Sequence, residues 1–306
     1  MADIALLDGG LGQEISNRSG VNAHPLWSIK VMLERPEIVT EVHHDFLKAG
    51  ARVLGLNTYT ATPSRMAQHG YADHLKTAHE TAITLAHEAI SISGVPRHEV
   101  SVAACLPPLV ASYVAEKAKD FSGSLAEFRE LVALQNDGVD VFLVETMSNW
   151  QEAKAGITAA HETSKPVYVS FTLKDDMSNR LRSGEELSSV VEQLADTPVA
   201  GVMVNCSYPE AVTAAMPILK ASGLAFGGYA NGFTSVDALK PGLTVDELTA
   251  RKDLPPDRYA EYAFGWIENG ASIVGGCCEI SPEHIAVLAK GLNDKGHQIT
   301  SFRKGD

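Results

Sequence analysis

The chain has 306 residues, enough for one large α/β domain or two ordinary ones, and 45% of them are hydrophobic, so it can bury a substantial core. Thirty-eight acidic residues against 25 basic ones give a formal charge of −13, the wrong sign for a partner made of nucleic acid or anionic lipid. Four cysteines are too few for a disulfide scaffold, the opening MADIALLDGG has no basic region ahead of an apolar stretch, and no segment reaches the roughly eighteen apolar residues that span a bilayer. A reducing cytoplasm is the expected setting.

Short β-rich runs alternate with longer helical patterns. The strands are expected near Ile4–Asp8, Arg52–Asn57, Val100–Cys105, Val139–Glu145, Val167–Thr172, Val199–Cys206, Leu224–Tyr229 and Ser272–Cys277. Most are near-continuous runs of Val, Ile, Leu and Ala, as expected for parallel strands covered on both faces. Between the first two, Pro36 to Ala49 spaces Ile38, Val42, Phe46 and Leu47 for a helix that stops at Gly50. Further on, Ser124 is expected to cap a helix to Asp137, with Glu127 closing a capping box. The last helix opens at Ser281-Pro282 and runs to about Leu292, after which the tail reads as polar and frayed. Eight βα units with no break in composition point to a single-domain (β/α)8 TIM barrel over residues 1–306, in preference to a doubly wound sheet. The connection from Asn231 to Pro256 is long for a compact domain, and loops of that kind are often functional lids.

Functional groups of such barrels gather where strands end. The strands here finish in Asp8, Asn57-Thr58, Cys105, Glu145-Thr146, Asn205-Cys206 and Cys277-Cys278. Cys277 and Cys278 follow Gly275-Gly276, where the backbone can turn and bring both sulfurs to one point, and Cys206 can add a third. Three thiolates form a zinc site with a corner left for substrate; buried packing is the plain alternative. Cys105 has no paired partner and is expected to pack. Asp8-Gly9-Gly10 matches no phosphate-binding spacing, and a carboxylate at a strand end suits a cationic group such as an α-ammonium. Of the eleven histidines none has metalloprotease spacing, and His43-His44 is expected on a solvated face or at a core edge.

Together these residues resemble the homocysteine S-methyltransferase family. The motifs are Asp8-Gly9-Gly10-Leu11-Gly12, Pro25-Leu26-Trp27-Ser28, Phe46 to Ala51 leading to Asn57-Thr58-Tyr59, Glu145-Thr146, Val204-Asn205-Cys206, and Gly275-Gly276-Cys277-Cys278 with Pro282-Glu283-His284-Ile285. The resemblance implies a barrel in which Cys206, Cys277 and Cys278 hold Zn2+, and Asp8, with Gly9, and Glu145 hold the amino-acid part of homocysteine. It also implies that Asn57, Thr58 and Asn205 line the substrate site. The implied reaction moves a methyl from a donor, S-methylmethionine or another sulfonium, to the homocysteine thiolate, with no catalytic residue beyond that zinc-activated sulfur. Tyr229-Ala230-Asn231-Gly232-Phe233 departs from the family's Tyr-Pro-Asn-Ser-Gly, which leaves the donor, a related thiol or selenol acceptor and the oligomeric state open. A vicinal-thiol redox sensor or metal-binding barrel without methyl transfer is the alternative.

Overall fold

A computed structural model of the chain describes residues 1–20, 24–239 and 244–302. Nine parallel strands form one sheet: β1 Asp3–Leu6, β2 Val53–Gly55, β3 Ser101–Leu106, β4 Val141–Met147, β5 Val167–Phe171, β6 Gly201–Asn205, β7 Ala225–Tyr229, β8 Ile273–Val274 and β9 Gln298–Thr300. Their order is β2-β3-β4-β5-β6-β7-β8-β1-β9. A parallel bridge between Leu7 and Val53 joins the two sides of the seam, so the eight expected strands close as a barrel with helices outside. Among the described residues no helix is long and apolar enough to cross a membrane.

Side chains alternate across each strand, and this separates two cores. Ile4 and Leu6 of β1, Phe142 and Val144 of β4 face the helices; Ala5, Leu7, Val141 and Leu143 belong to the cluster inside the barrel. The same parity, carried forward from Ala103, Leu143, Met203 and Gly227, turns Cys105, Glu145, Asn205 and Tyr229 inward as one layer at the carboxyl end. Cys105, Glu145 and Tyr229 of that layer reach the floor of the site, while Asn205 is held behind it by Thr146 and Ser170.

The ninth strand corrects the expectation of a frayed tail. Gln298–Thr300 pairs in parallel with Asp3–Ala5, wedged into the seam below the Leu7–Val53 bridge. Phe302 then enters the barrel base and stacks on Tyr168, ring centroids 3.9 Å apart. A three-residue strand ending a polar tail has too little apolar periodicity to announce itself. Residues 303–306 of the tail and 240–243 of the long loop lie outside the described residues.

Two local expectations also change. The helix expected from Ser124 starts at Phe121, because Asp120 accepts from Gly123 N at 2.8 Å and caps it first; Ser124 is buried, and Glu127 bonds Ser64 and Lys119 instead of closing a box. The helix Pro36–Ala49 ends at Gly50 (φ 114°) as expected, yet His43 is fully buried, and neither ring nitrogen has a hydrogen-bond partner among the described residues. Burial holds its pKa down at about 4, so the imidazole packs as a neutral ring.

Candidate active site at the barrel mouth

The cysteine loops meet because glycine lets their backbones touch. A Cβ on Gly10 would stand 2.7 Å from Cys277 O, one on Gly9 2.1 Å from Ile280 O, and one on Gly276 2.2 Å from the Ile280 side chain. Gly275 and Gly276 do not take the left-handed φ that a sharp glycine turn would need. Their requirement is close approach of the loops after β1 and β8, fastened by Gly276 N to Asp8 O at 2.9 Å and Gly10 N to Ile280 O at 2.8 Å.

The result is a cluster of three sulfurs. Cys206, Cys277 and Cys278 place their Sγ atoms within 4.8 Å of one another, with Cys206 2.8 Å from Cys277 and 4.0 Å from Cys278. Tetrahedral thiolates at 2.3 Å from zinc stand about 3.8 Å apart, so the donor set fits such an ion. Cys206 is the natural site of negative charge. Hydrogen bonds from Cys277 and Cys278 hold its pKa well below the usual thiol value against the opposing effect of burial, and the Tyr113 hydroxyl (2.9 Å) and Asn231 Nδ2 (3.9 Å) also point at its sulfur. The thiols of Cys277 and Cys278 are pushed up in turn.

Cys206 carries φ +46°, an unfavourable backbone for a residue with a Cβ, and Thr146, beside Glu145, carries φ +59°. One side chain holds the second of these places. Asn205 Oδ1 accepts from Thr146 N (3.0 Å) and Ser170 Oγ (2.7 Å), and its Nδ2 donates to Thr146 Oγ1 (2.8 Å). Cys206 N donates to Tyr229 O at 3.1 Å. Strain at a β-branched Thr146 persists only where neighbours over-determine it, and Asn205 is that determinant.

Beside the cysteines lies a cavity of about 210 Å³. Asp8, Gly9, Asn57 and Glu145 line it, as do the three cysteines, whereas Thr58 and Asn205 stand behind its wall. Thr58 is buried toward Gln135 and Cys105. Asn57 lines the cavity while its carboxamide is already used by Ser28, whose Oγ donates to Oδ1 at 2.6 Å. Asp8 accepts from Gly55 N at 2.9 Å, yet burial, with Glu145 nearby, pushes its pKa well above the carboxylate range. Burial raises Glu145 to about 7 despite hydrogen bonds from Cys105 and from Tyr229, whose hydroxyl is 3.5 Å away. Two carboxylates in this condition, with no basic partner in ion-pair range among the described residues, present a receptor for a cation.

Cys105, expected only to pack, faces the cavity and donates to Glu145, though it stands apart from the sulfur cluster. The long loop after β7 folds over the cysteines: Phe233 and Val236 form a small apolar cluster with Cys206 and Cys278, packed against Trp27, Tyr113 and Leu248. Tyr59, Arg65, Tyr113 and Trp27 in the lining escape a reading by strand ends, because Arg65 sits in the six-residue helix Pro63–Gln68 and the others on connecting segments without periodicity. The available signal was the concentration of aromatic and basic side chains in the segments that follow β2 and β3.

Comparison with known proteins agrees with this arrangement. The family model described as homocysteine S-methyltransferase matches residues 5–292. A homocysteine S-methyltransferase of Escherichia coli is 32% identical, the match covering 94% of each chain, and a selenocysteine methyltransferase of Astragalus bisulcatus is 28% identical over 94% of this chain and 92% of its own. The metallated form of the homocysteine methyltransferase MmuM from Escherichia coli superposes with a TM-score of 0.77 at 29% identity, covering 94% of this chain and 96% of that one. The chain belongs to the homocysteine S-methyltransferase family.

Proposed function

We propose that this single barrel, residues 1–306, binds Zn2+ through Cys206, Cys277 and Cys278 and transfers a methyl group from a sulfonium donor to the thiolate of homocysteine, giving methionine. The observation that carries the reading is the joining of three cysteine sulfurs and two unpaired carboxylates in one cavity. Zinc bound there would keep the acceptor thiol ionised at neutral pH, where a free thiol with a pKa of about 8.5 is mostly protonated.

The chain's own residues do the rest. Asp8 and Glu145 take the α-ammonium of the acceptor, which relieves the burial of both carboxylates and fixes where its sulfur reaches. Asn205 keeps Glu145 and Cys206 aligned, and Gly9 lets the loop after β1 close against Ile280. Asn57 and Thr58 brace the opposite wall. Trp27 lines the same cavity and offers an aromatic ring to a sulfonium, a favourable contact for a cation, whereas Tyr59 and Tyr113 already carry the Arg65 and Arg182 guanidiniums over their rings. As the new S–C bond forms, the old one breaks and its electrons return to the donor sulfur. The neutral thioether leaves without a proton, so no general acid is needed. The vicinal-thiol redox alternative gives the two carboxylates no task.

The thiols must stay reduced for this chemistry, which supports a cytoplasmic setting. The reading is tested by zinc-loaded protein with homocysteine and, in turn, S-methylmethionine, S-adenosylmethionine, betaine and dimethylsulfoniopropionate, with methionine measured. Production from a sulfonium supports it; no methionine from any donor refutes it.

A further inference from the structure

Cys105 is the cavity thiol that the preceding scheme leaves without a task. It lies near the end of β3, buried, with its side chain on the cavity. Strand β2 pairs with β3 only as far as Gly55 opposite Ala103, so beyond that point the edge of β3 has no strand ladder beside it. A carboxamide takes the strand's place. Gln135, fully buried at the end of the helix Phe121–Gln135, accepts from Cys105 N through Oε1 and donates to Cys105 O through Nε2, both at 3.1 Å. Thr58 Oγ1 donates to the same Oε1 at 3.4 Å, and the Thr58 hydroxyl also meets the Cys105 thiol. A residue fastened through both backbone polar groups holds its side chain in one direction.

That direction is toward a carboxylate. The Cys105 thiol donates to Glu145, whose other donor is the Tyr229 hydroxyl at 3.5 Å. Both donors are neutral, and burial pushes both well above their ordinary pKa, so neither supplies the charge that the carboxylate lacks. Glu210, outside the cavity, shows the opposite arrangement: Arg251 grips it with two nitrogens at 2.8 and 2.9 Å, and the Tyr262 hydroxyl adds a bond of 2.7 Å. Its charge is already matched. A thiol is a weak donor, able to keep a buried carboxylate from turning away without satisfying it. We infer that Cys105 is a positioning residue: clamped by Gln135, its thiol holds the Glu145 carboxylate turned toward the cavity for an incoming ammonium group. The assignment rests on the reading of Glu145 as the α-ammonium ligand of the acceptor. It adds that a neutral thiol sets part of the discrimination by the amino group, and that Thr58 and Gln135, both behind the cavity wall, serve that thiol.

The experiment is calorimetric titration of the zinc-loaded full chain with homocysteine and with 4-mercaptobutanoate, which keeps the thiol and carboxylate but has no amino group. The proteins are the wild type, Cys105→Ala, Cys105→Val and Cys105→Ser. The ratio of the two affinities isolates recognition of the ammonium. Cys105→Ala should lower that ratio by about three- to ten-fold, the range of one weak bond to a charged group, while affinity for 4-mercaptobutanoate stays within about two-fold. Cys105→Val, which keeps bulk without a donor, should match Ala, and Cys105→Ser, which keeps a donor, should return the ratio to within about two-fold of the wild type. Should the Ala variant fail to fold, the contrast between Val and Ser decides. An unchanged ratio in Ala and Val, an equal loss for both ligands, or recovery by Val and not by Ser would overturn the assignment. A wild type that binds both ligands equally refutes the ammonium site itself, and the assignment with it. Methionine formation by the wild type is scored separately, so failure of methyl transfer and failure of the Cys105 assignment read out differently.

Discussion

The two ends of the barrel are built on opposite terms. At the base, β9 and Phe302 add a strand and a stacked ring to an apolar interior. At the mouth, Trp27, Tyr113, Thr146 and Cys206 all hold positive φ, the carboxylates of Asp8 and Glu145 have no cation in ion-pair range among the described residues, and three thiols crowd one another. The base collects favourable burial, and the mouth stores strain and unpaired charge that only a ligand relieves. Perturbing the mouth should therefore cost function first, and perturbing the base should cost stability alone.

The largest expected effect is at the sulfur cluster. Cys277→Ser should lose bound zinc and lower methionine formation by at least about a hundred-fold, while the melting temperature of the metal-free protein hardly moves. Metal analysis and turnover measured together check it; full zinc content with full activity would remove Cys277 from the ligand set. Next comes Asn205→Ala. It strands Thr146 N and Ser170 Oγ in a buried place and releases the constraint on Thr146, at a cost of about 3 kcal/mol in urea unfolding. Because Thr146 adjoins Glu145, the KM for homocysteine should rise as well. A stability loss with no change in KM would show that the clamp serves the fold only.

These sites were legible to different depths. Val-Asn-Cys and Gly-Gly-Cys-Cys mark the sulfur cluster because strand ends converge in any such barrel, and strand parity in the sequence already turns Cys105, Glu145 and Asn205 inward. Chemistry alone could not separate Glu145, which faces the cavity, from Asn205, which stands behind it, because that depends on the long-range bonds of Asn205 to Thr146 and Ser170. Cys105 was set aside for want of a cysteine partner, when its partner is a carboxylate. Tyr113 lies on a loop and Arg65 in the six-residue helix Pro63–Gln68, which is too short for periodicity to fix its path. At the base, the polarity of the tail hid β9, whose stability comes from pairing with Asp3–Ala5 and not from its own composition. The glycines were visible, but the contacts that require them, two backbones meeting at Gly10 and Cys277, are long-range.

The base offers the counter-test. Phe302→Ala removes a nearly buried ring from the Tyr168 stack and should cost about 2 kcal/mol, less than a central core ring because the chain end can relax. Substrate KM values at 25 °C should stay as they are. If KM for either substrate moves more than about two-fold, the base is not independent of the mouth and the division drawn above fails.

The smallest effect is the pH dependence of the empty mouth. Burial lifts Glu145 from 4.5 to about 7 in the folded protein. Its folded form thus binds the proton more tightly than its unfolded form, and stability contributed by this group is full below about pH 4.5 and lost as pH rises through 7. A two-and-a-half-unit shift is worth about 3 kcal/mol in full; discounted for the partial exposure of the side chain, about 1 to 2 kcal/mol remains. The decline is read as the difference between wild type and Glu145→Gln, neutral at both, in metal-free protein unfolded in urea at pH 5 and pH 8, because His43 and His79, both held down at about 4, and the lowered Cys206 thiol add slopes of the opposite sign that the two proteins share. Asp8, raised for the same cause, adds a slope of the same sign that survives in the variant. Saturating an α-ammonium ligand should also reduce the decline, because a bound cation favours the ionised carboxylates. A decline equally steep with the ligand present would mean that Glu145 does not hold the ammonium, even though it faces the cavity.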